Sequence, residues 1–570
     1  MDNREEMSSW TLVRRYAVPR WMIERATERR LAGDWAGACA ASHVDVGFDL
    51  AEVADEYGAR AAADLEADLR HLAPDLLRWH LPRVLNGRTS VGTLRALVLG
   101  RYGDGVLHVV TPPMVDGPQR LRLLFRRKPL RRMPRGHTSI VAEDWSGVRH
   151  LWDARFSAGL PAHHGGTDRP PFFHADGTPL TPDELPGTAP DPADTTAHHE
   201  WVMLLHERGE LEAAFEAAGA VPDFSDEGLP GWARTDPRHL MARLPVDLAL
   251  LARESRALAE RGTTALRISF GWYTGFAVTR ESPQDPPRMR VASTYDLRGL
   301  DRLPEFSWRR QPDLTLLRAG MITPEELHPL VRDALFPKRP AADGPVGPPD
   351  PAPPAPVRVR CRGEWHEVRM RDGRLDMPHT AEEQQREQAM RAFGGAVTGC
   401  FAVREALTGG EGRLPRALRG QSRDLFLRMH NGDTRGVLRL LDMGVDPRVR
   451  DGRKRTLLHL LHLVDHEELL PRLLDAGLDL EATDQNGRTP LHLVVGEHGR
   501  APLVRALLDA GARIDVVDES DYSLVDLMER NDRTDLRFLR DRIAAEYPDI
   551  TAHDYWEYDE DEDPEDEDGE

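Results

Sequence analysis

The chain has 570 residues, of which 40% are hydrophobic, and a formal net charge of −20 at pH 7. Since this length is several times that of a typical domain, we expect three or more folded units. Residues 554–570 hold twelve acidic residues and no basic ones, so most of the charge belongs to an acidic tail, and the overall balance gives no support to a dedicated DNA-binding protein.

The first part of the chain is predicted to consist of helices followed by strands. Residues 10–90 repeat apolar side chains at steps of three and four, which is typical of helices. Ala96–Leu99 and Val106–Val110 then flank Gly103-Asp104-Gly105, a pattern that predicts a β-hairpin, and Leu121–Phe125 is expected to add a third strand. Residues 159–198 are rich in Pro, Gly, Asp and Thr and are predicted to form a long loop.

Helices and then strands follow again after this loop. Helical periodicity covers Trp201–Gly219 and Leu240–Arg261, and extended segments are predicted at Ala265–Thr279 and Arg288–Tyr295 before a helix at Pro324–Leu335. Both halves therefore have the same order of elements. Gly33-Asp34-Trp35 with Ala38 also matches Gly209-Glu210-Leu211 with Ala214. We interpret this as either a duplicated α+β module or a chance likeness.

A proline-rich segment separates these regions from the rest of the chain. Residues 337–357 contain nine prolines, which favours extended polyproline geometry and a semi-rigid linker. Beyond it, Val357–Arg362 and Trp365–Met370 predict a small β-meander, and Ala381–Phe393 predicts a helix that leads toward the last part of the chain.

The last third of the chain contains an internal repeat. Leu440-Leu441-Asp442-Met443-Gly444 recurs after 33 residues as Leu473–Gly477 and after 34 more as Leu507–Gly511. Thr456-Leu457-Leu458-His459 recurs after 33 residues as Thr489-Pro490-Leu491-His492. Two independent anchors that share one period are much more specific than either alone. Thr489 can N-cap a helix, Pro490 suits its first position, and Gly511 can end the following helix in a left-handed turn.

On these residues, the segment from about 421 to 540 resembles the ankyrin repeat family. The resemblance implies a turn and two antiparallel helices per unit, with two full units between an N-terminal cap at Leu425–Asp446 and a degenerate C-terminal cap. Leu457, which replaces the usual proline, departs from the family pattern. The structural repeat residues are Thr456, His459, Gly477, Thr489, Pro490, Leu491, His492 and Gly511.

The resemblance implies a protein partner, bound through the tips of the repeat turns and the inner helical face. The residues at the tips would be Arg450, Arg453, Lys454, Gln485, Asn486, Glu519 and Asp521. Their charge changes from basic to acidic along the repeats. The alternative is that they are ordinary solvated turn residues.

Candidate catalytic and metal-binding groups are few. Cys39, Cys361 and Cys400 are odd in number and far apart, a spacing that indicates neither a disulfide framework nor a zinc site and that fits a reducing interior. His459, His462 and His466 could line one side of a helix, but the first is the helix-start histidine of the repeat. No phosphate loop, dinucleotide fingerprint or nucleophile elbow is present. The sequence therefore predicts no catalytic residue, no metal and no cofactor.

The segment Arg120–Arg135 holds eight basic residues and no acidic one. Apolar side chains alternate with its first arginines, which favours a half-buried strand with a basic outer face. Weak contact with a polyanion, or with the acidic tail of the same chain, is the alternative.

These patterns predict a multidomain α+β protein with an N-terminal mixed α/β region and a C-terminal α-helical solenoid of ankyrin type. It resembles multidomain ankyrin-repeat proteins of actinomycete-type bacteria. Without a secretory signal near Met1 or an apolar run of ~20 residues, a cytoplasmic protein without membrane contact is expected. The leading interpretation is an interaction scaffold; an enzyme of unrecognised class in the N-terminal region, or a toxin- or immunity-associated protein, are the alternatives.

The predicted domains are an α+β domain at 1–158, a loop at 159–200, a second α+β region at 201–336, a proline-rich linker at 337–357, a meander plus helix at 358–412, the repeats at 413–545 and an acidic disordered tail at 546–570.

Overall fold

The structure is a computed structural model that describes residues 3–85, 87–132, 139–225, 236–269, 274–393, 398–409 and 412–550. Most of the acidic tail, and residues 133–138 of the basic segment, lie outside the described residues. The chain divides into two compact units. The first comprises Met1–Val115 and Gln119–Asp350, and the second comprises Asp116–Pro118 and Pro351–Glu570.

The first unit contains two sheets and the helices that pack on them. Its strands are β1 (Val44–Val46), β2 (Arg95–Tyr102), β3 (Gly105–Val110), β4 (Leu121–Arg126), β5 (Val141–Asp144), β6 (Val221–Asp223), β7 (Ala265–Ser269), β8 (Thr274–Thr279), β9 (Arg288–Ser293) and β10 (Asp301–Arg302). Its helices are α1 (Asn3–Tyr16), α2 (Arg20–Leu31), α3 (Trp35–Ala41), α4 (Leu50–Tyr57), α5 (Ala59–Leu69), α6 (Pro74–His80), α7 (Leu160–His163), α8 (Thr195–Glu207), α9 (Leu211–Ala217), α10 (Pro237–Arg243), α11 (Leu248–Ala259), α12 (Pro312–Arg318) and α13 (Pro329–Leu335). Short 3-10 helices lie at Arg149–Leu151, Ser157–Gly159, Pro182–Glu184, Glu305–Ser307 and Pro324–Glu326.

The two sheets of the first unit have the same topology. The strand order is β1-β4-β3-β2-β5 in one and β6-β9-β8-β7-β10 in the other, when the latter is written in the matching direction. In each sheet the three central strands are antiparallel neighbours and the two outer strands pair in parallel. The β2–β3 hairpin and the third strand β4 confirm the predicted strands.

Equivalent local features mark the duplication. Each half contains a helix pair joined through a glycine of positive φ: Gly33, at 78°, joins α2 and α3, and Gly209, at 79°, joins α8 and α9. In each half a tryptophan that follows a 3-10 turn accepts a backbone hydrogen bond from the residue before a helix: Trp152 from Ala73 and Trp308 from Asp247. The structure therefore confirms the duplicated α+β module. The short sequence likeness around the two glycines lies at equivalent positions of the two halves.

Two predicted helices are each a pair of helices in the structure. The segment Trp201–Gly219 breaks at Gly209, and Leu240–Arg261 breaks before Asp247, whose carboxylate caps α11 by accepting from the Leu250 N–H. The predicted loop at 159–198 also holds α7 and a 3-10 turn. The helices α12 and α13 follow the second sheet along the chain, but their buried side chains belong to the hydrophobic cluster of the first sheet.

The second unit begins with a three-stranded antiparallel meander, as predicted, and continues into pairs of helices. Its strands are β11 (Val357–Cys361), β12 (Glu364–Arg371) and β13 (Arg374–Asp376). Its α-helices are α14 (Ala381–Ala392), α15 (Gly399–Gly409), α16 (Arg416–His430), α17 (Thr434–Asp442), α18 (His466–Asp475), α19 (Pro490–Gly496), α20 (Ala501–Asp509), α21 (Leu524–Arg530) and α22 (Arg537–Glu546). Leu457–Leu463 and Thr534–Leu536 are 3-10 helices, so the helix that starts the Thr456 repeat is tighter than an α-helix.

The meander covers one end of the helix pairs. The turn between β12 and β13 lies against Gly444, whose φ is +90° and where a Cβ would be 2.7 Å from the Asp372 backbone nitrogen. Gly373 donates a backbone hydrogen bond to the Gly444 carbonyl at 3.3 Å. One hydrophobic cluster runs from Val357 in β11 to Ile543 in α22. The meander thus supplies the neighbour that the first helix pair needs to bury its apolar face.

Candidate protein-binding surface and a cysteine–histidine cluster

The helices that start two of the repeats are fixed by the same pair of side chains. At Thr489, the hydroxyl lies 2.9 Å from His492 Nδ1, and the Thr489 backbone N–H donates to the same ring nitrogen at 3.3 Å. Thr456 and His459 repeat this arrangement at 2.9 and 3.1 Å. These reciprocal contacts satisfy donors at the start of each helix, where no preceding turn supplies a carbonyl.

Replacing Thr489 by alanine is expected to lower the free energy of unfolding of the second unit by about 1 kcal/mol, because a buried N-cap is lost. Hydrogen exchange of peptides from α19 and α20 at increasing urea measures the change. The exposed Thr483, replaced in the same way, is the control. An equal loss in both variants would show that the cap is not responsible.

Positive-φ glycines end the second helices of the repeats, and an apolar side chain anchors the first. Gly477 has φ 81° and Gly511 has φ 97°, a conformation that costs other L-residues energy. Pro490 occupies the first position of α19, and Leu491 beside it is buried. Each structural repeat residue thus lies at a helix start, a helix end or in the core.

The turns between helix pairs are joined by backbone hydrogen bonds. Gln485 N–H donates to the Arg453 carbonyl at 2.9 Å, and Glu519 N–H donates to the Asn486 carbonyl at 3.0 Å. These bonds place the three tips side by side as one row. We call the row of Arg450, Arg453, Lys454, Gln485, Asn486, Glu519 and Asp521 the tip row.

Most of the tip-row side chains are exposed. Arg453, Gln485, Asn486, Glu519 and Asp521 are exposed to solvent, whereas Arg450 and Lys454 are partly buried. Arg450 donates to the carbonyls of Lys454 and Thr483 at 2.8 and 2.9 Å, so it holds the turns together. Of the seven residues predicted to contact a partner, Arg450 therefore has a structural role in the turns.

His459, His462 and His466 do not form a joint site among the described residues. The imidazole of His459 is occupied by Thr456 on one side and lies 3.1 Å from the Arg488 carbonyl on the other. Burial lowers the pKa of His459 and of His462 to about 4. His466 is the first residue of α18 and is only partly buried.

Two cysteines and two histidines converge in the module that precedes the repeats. The potential ligand atoms of Cys361, His366, His379 and Cys400 all lie within 4.8 Å of one another. The His366 Nδ1 to His379 Nε2 distance is 3.2 Å, and each of two sulfur–nitrogen distances, Cys361 to His379 and Cys400 to His366, is 3.6 Å. We call these four residues the Cys–His cluster.

The β11–β12 hairpin, the segment after β13 and the helix α15 supply the cluster. Cys361 ends β11 and His366 lies in β12; the antiparallel register pairs Cys361 with Glu364 and Val359 with His366, which puts both side chains on one face of the hairpin. His379 follows β13, and Cys400 lies in the first turn of α15. Burial and the neighbouring Cys361 raise the pKa of the Cys400 thiol to about 12.

The interpretation that the cysteine spacing indicates no metal site was therefore wrong in one respect. Cys361 and Cys400 are far apart in the sequence but lie in one cluster in the structure. The interpretation considered the cysteines alone, and the two histidines that complete the cluster come from a strand and a loop. The one usable signal was Cys361 and His366 across a short turn at Arg362-Gly363. Cys39, by contrast, is buried in the first unit, where burial raises its pKa to about 12.

The first unit holds a cavity of about 250 Å³ whose wall is largely apolar but includes His164, His199 and Asp247. His199 Nε2 lies 3.1 Å from a carboxylate oxygen of Asp247, and both side chains are buried. Burial raises the pKa of Asp247, but His199 and the α11 N-terminus outweigh it, so the pKa lies below its ordinary value. His164, also in the wall, has a pKa well below its usual range because of burial and neighbouring histidines. Such a cavity could take a small polar ligand.

The described part of the basic segment contains β4, an inner strand that pairs with β1 and β3, and some of its basic side chains form ion pairs. β4 alternates buried and exposed side chains at Leu121 and Arg122, as predicted for a strand with a basic outer face. Arg120 pairs with Asp45 at 2.6 Å, and Arg127 lies 3.7 Å from Glu56. Part of the positive charge is thus balanced within the first unit.

Comparisons with known proteins identify the repeats. The family model of ankyrin repeats matches residues 425–518 as three copies. The match begins within α16, so the predicted N-terminal cap at Leu425–Asp446, which lacks the Thr-Pro-Leu-His start, lies inside the matched repeats. No curated protein matches the chain. Among the described residues, no helix is long and apolar enough to cross a bilayer. Residues 425–518 of the chain are thus ankyrin repeats.

Proposed function

We propose that this protein is a cytoplasmic interaction scaffold that binds a partner protein along the tip row. Ankyrin repeats are generally protein-interaction modules, and the observation that carries the proposal is the hydrogen-bonded row of exposed tips. The row is basic at Arg453, neutral at Gln485 and Asn486, and acidic at Glu519. A partner with the opposite order of charges would be oriented by it.

Charge reversal at Arg453 tests this proposal. In the full chain, Arg453→Glu is expected to weaken partner binding about 5-fold, because an exposed rim charge contributes modestly and acts mainly on association. Capture from native lysate with the unchanged chain identifies the partner, and binding kinetics at two salt concentrations measure the effect. Arg423→Glu, an equal charge change on an exposed position of α16, is the control.

Two results would contradict the scaffold. One is a set of captured proteins that Arg453→Glu and Glu519→Lys leave unchanged. The other is a partner that both variants and the Arg423→Glu control weaken equally, since this would indicate a general charge effect and no role for the tip row.

An enzyme or small-molecule receptor in the first unit is the second candidate. The cavity beside the buried His199–Asp247 pair favours it, because buried groups with shifted pKa values, here Asp247 and His164, often line functional sites. The same pair also has a structural task, since Asp247 caps α11. The scaffold therefore remains the leading proposal.

A further inference from the structure

We propose that Cys361, His366, His379 and Cys400 bind one zinc ion, which holds together the module that covers the first ankyrin repeat. The four residues come from a hairpin, a loop and a helix. A closed site of four protein ligands is typical of structural zinc and leaves no open position for catalysis.

The distances within the cluster fit a tetrahedral ion. Zinc lies about 2.3 Å from cysteine sulfur and about 2.0–2.1 Å from histidine nitrogen, which places tetrahedral ligand atoms about 3.3–3.8 Å apart. The observed nitrogen–nitrogen distance is 3.2 Å and the two sulfur–nitrogen distances are 3.6 Å. These three separations match those expected around a tetrahedral zinc ion, and all four ligand atoms lie within 4.8 Å of one another.

The ligand types select the metal. Thiolate sulfur and imidazole nitrogen bind zinc, whereas magnesium and calcium require oxygen ligands. Both cysteines are almost fully buried, at 1% and 0% exposure, and the two histidines complete the set from the partly buried side.

Residues around the cluster hold it in place. His379 turns its Nδ1 toward the Glu383 carboxylate at 3.4 Å, and Glu383 in turn accepts from the Thr380 backbone N–H at 3.0 Å. This carboxylate–histidine contact is the outer support that metal-binding histidines usually have, and it leaves Nε2 for the ion.

Gly399 allows the fourth ligand to reach the site. Its φ is +62°, and a Cβ at this position would lie 2.5 Å from the Cys361 sulfur. Only glycine lets the start of α15 approach β11 this closely, which brings Cys400 to the cluster.

The cluster is connected to the repeats through α15 and the meander. Leu407 of α15 accepts a backbone hydrogen bond from Arg450 at 3.1 Å, and the β12–β13 turn lies against Gly444. A zinc ion would therefore tie these two elements to each other at the end of the repeat row, where a terminal repeat has no neighbour of its own.

Metal analysis of the full-length protein tests the inference. We expect about one equivalent of zinc per chain after purification without chelator. After removal of zinc, Co²⁺ should bind with the visible bands of a tetrahedral site and the near-ultraviolet charge-transfer band of thiolate ligands. Cys400→Ser should lose zinc and this charge-transfer band, whereas Cys39→Ser, a buried cysteine of the first unit, should keep both.

The outer contact provides a variant that keeps all four ligands. Glu383→Gln is expected to lower zinc affinity about 10–100-fold, and the neighbouring Glu382→Gln should leave it unchanged. The proposal would be overturned if the reduced full-length protein bound neither zinc nor Co²⁺. It would also be overturned if the Cys400→Ser variant bound these ions as well as the unchanged protein does. A third contradicting result would be a Cys361–Cys400 disulfide in freshly purified protein that binds no metal after reduction.

Discussion

Replacing Asp313 by asparagine is expected to lower the free energy of unfolding of the first unit by about 3–5 kcal/mol, because it leaves a buried guanidinium without its counter-charge. Asp313 in α12 is fully buried and pairs with Arg14 in α1, which is 4% exposed. The Arg14 Nη2 to Asp313 oxygen distance is 3.2 Å, and Trp79 Nε1 donates to the same carboxylate at 3.1 Å.

The pair also joins distant parts of the first unit. Arg14 donates to the Trp79 carbonyl at 2.8 Å, and its guanidinium lies 4.5 Å from the Trp79 ring centroid. Asparagine keeps the size of the side chain but removes the charge that balances Arg14. The cost therefore arises from an unpaired buried charge and not from a cavity.

Hydrogen exchange of peptides from α1, α6 and α12 during urea titration measures the loss in the first unit alone. The control is Glu66→Gln, which breaks an exposed i,i+4 pair with Arg70 and is expected to cost less than about 1 kcal/mol. Replacing both partners, as Arg14→Met with Asp313→Leu, should recover most of the loss. A cost near that of the control would show that the pair is solvated.

Lowering the pH from 6.5 toward 4 is expected to destabilise the first unit, with His206 as one principal cause. Burial and the neighbouring Arg310 lower the pKa of His206 to about 3, although its contact with the Met241 carbonyl works in the other direction. Arg310 donates to Nδ1 at 2.7 Å and Nε2 lies 3.1 Å from that carbonyl, so both ring nitrogens are occupied in the neutral form.

Stability falls with decreasing pH because the unfolded chain binds a proton on His206 at a higher pH than the folded protein does. The unfolded chain takes up a proton on His206 near its ordinary pKa of about 6.5, whereas the folded protein does so only near pH 3. This contribution to stability is therefore fully present above pH 6.5 and is lost as the pH falls. Each such histidine removes up to about 1.4 kcal/mol per pH unit in this window. His150, with a pKa lowered to about 3 by burial and by His163, adds to the same effect.

Urea unfolding at pH 7.5, 6.0 and 5.0 at constant ionic strength measures the slope. His206→Gln keeps an acceptor for Arg310 and a donor for Met241, so it should reduce the slope by about one proton. His239→Gln, at an exposed position of α10, should leave it unchanged. An unchanged slope in His206→Gln would show that this imidazole titrates normally in the folded protein.

The features that could be predicted from the sequence are those that depend on neighbours along the chain. The β2–β3 hairpin follows from Gly103-Asp104-Gly105 between apolar runs, and the helix starts at Thr489 and Thr456 follow from side chains three residues apart. These contacts form within a few residues, so their patterns are visible in the sequence. Helix breaks were missed where the interruption was itself tertiary, as at Asp247, whose backbone N–H bonds to Trp308.

The duplication could be predicted only in part from the sequence. The glycines at 33 and 209 and the residues beside them are a short stretch of sequence likeness, whereas the shared strand order extends over both sheets. A core tolerates exchange of residue types as long as volume and apolar pattern are kept, so topology persists where sequence likeness does not.

The sequence by itself determined that this protein carries ankyrin repeats, because each repeat is specified by local caps and turns that recur at one period. Only the tertiary structure decided that Cys361, His366, His379 and Cys400 meet, and that the tip row is one hydrogen-bonded surface. Both depend on the relative positions of elements that are separate in the sequence. For the Cys–His cluster these are the register of β11 and β12 and the packing of α15 against them. The lengths of the intervening segments do not encode that placement.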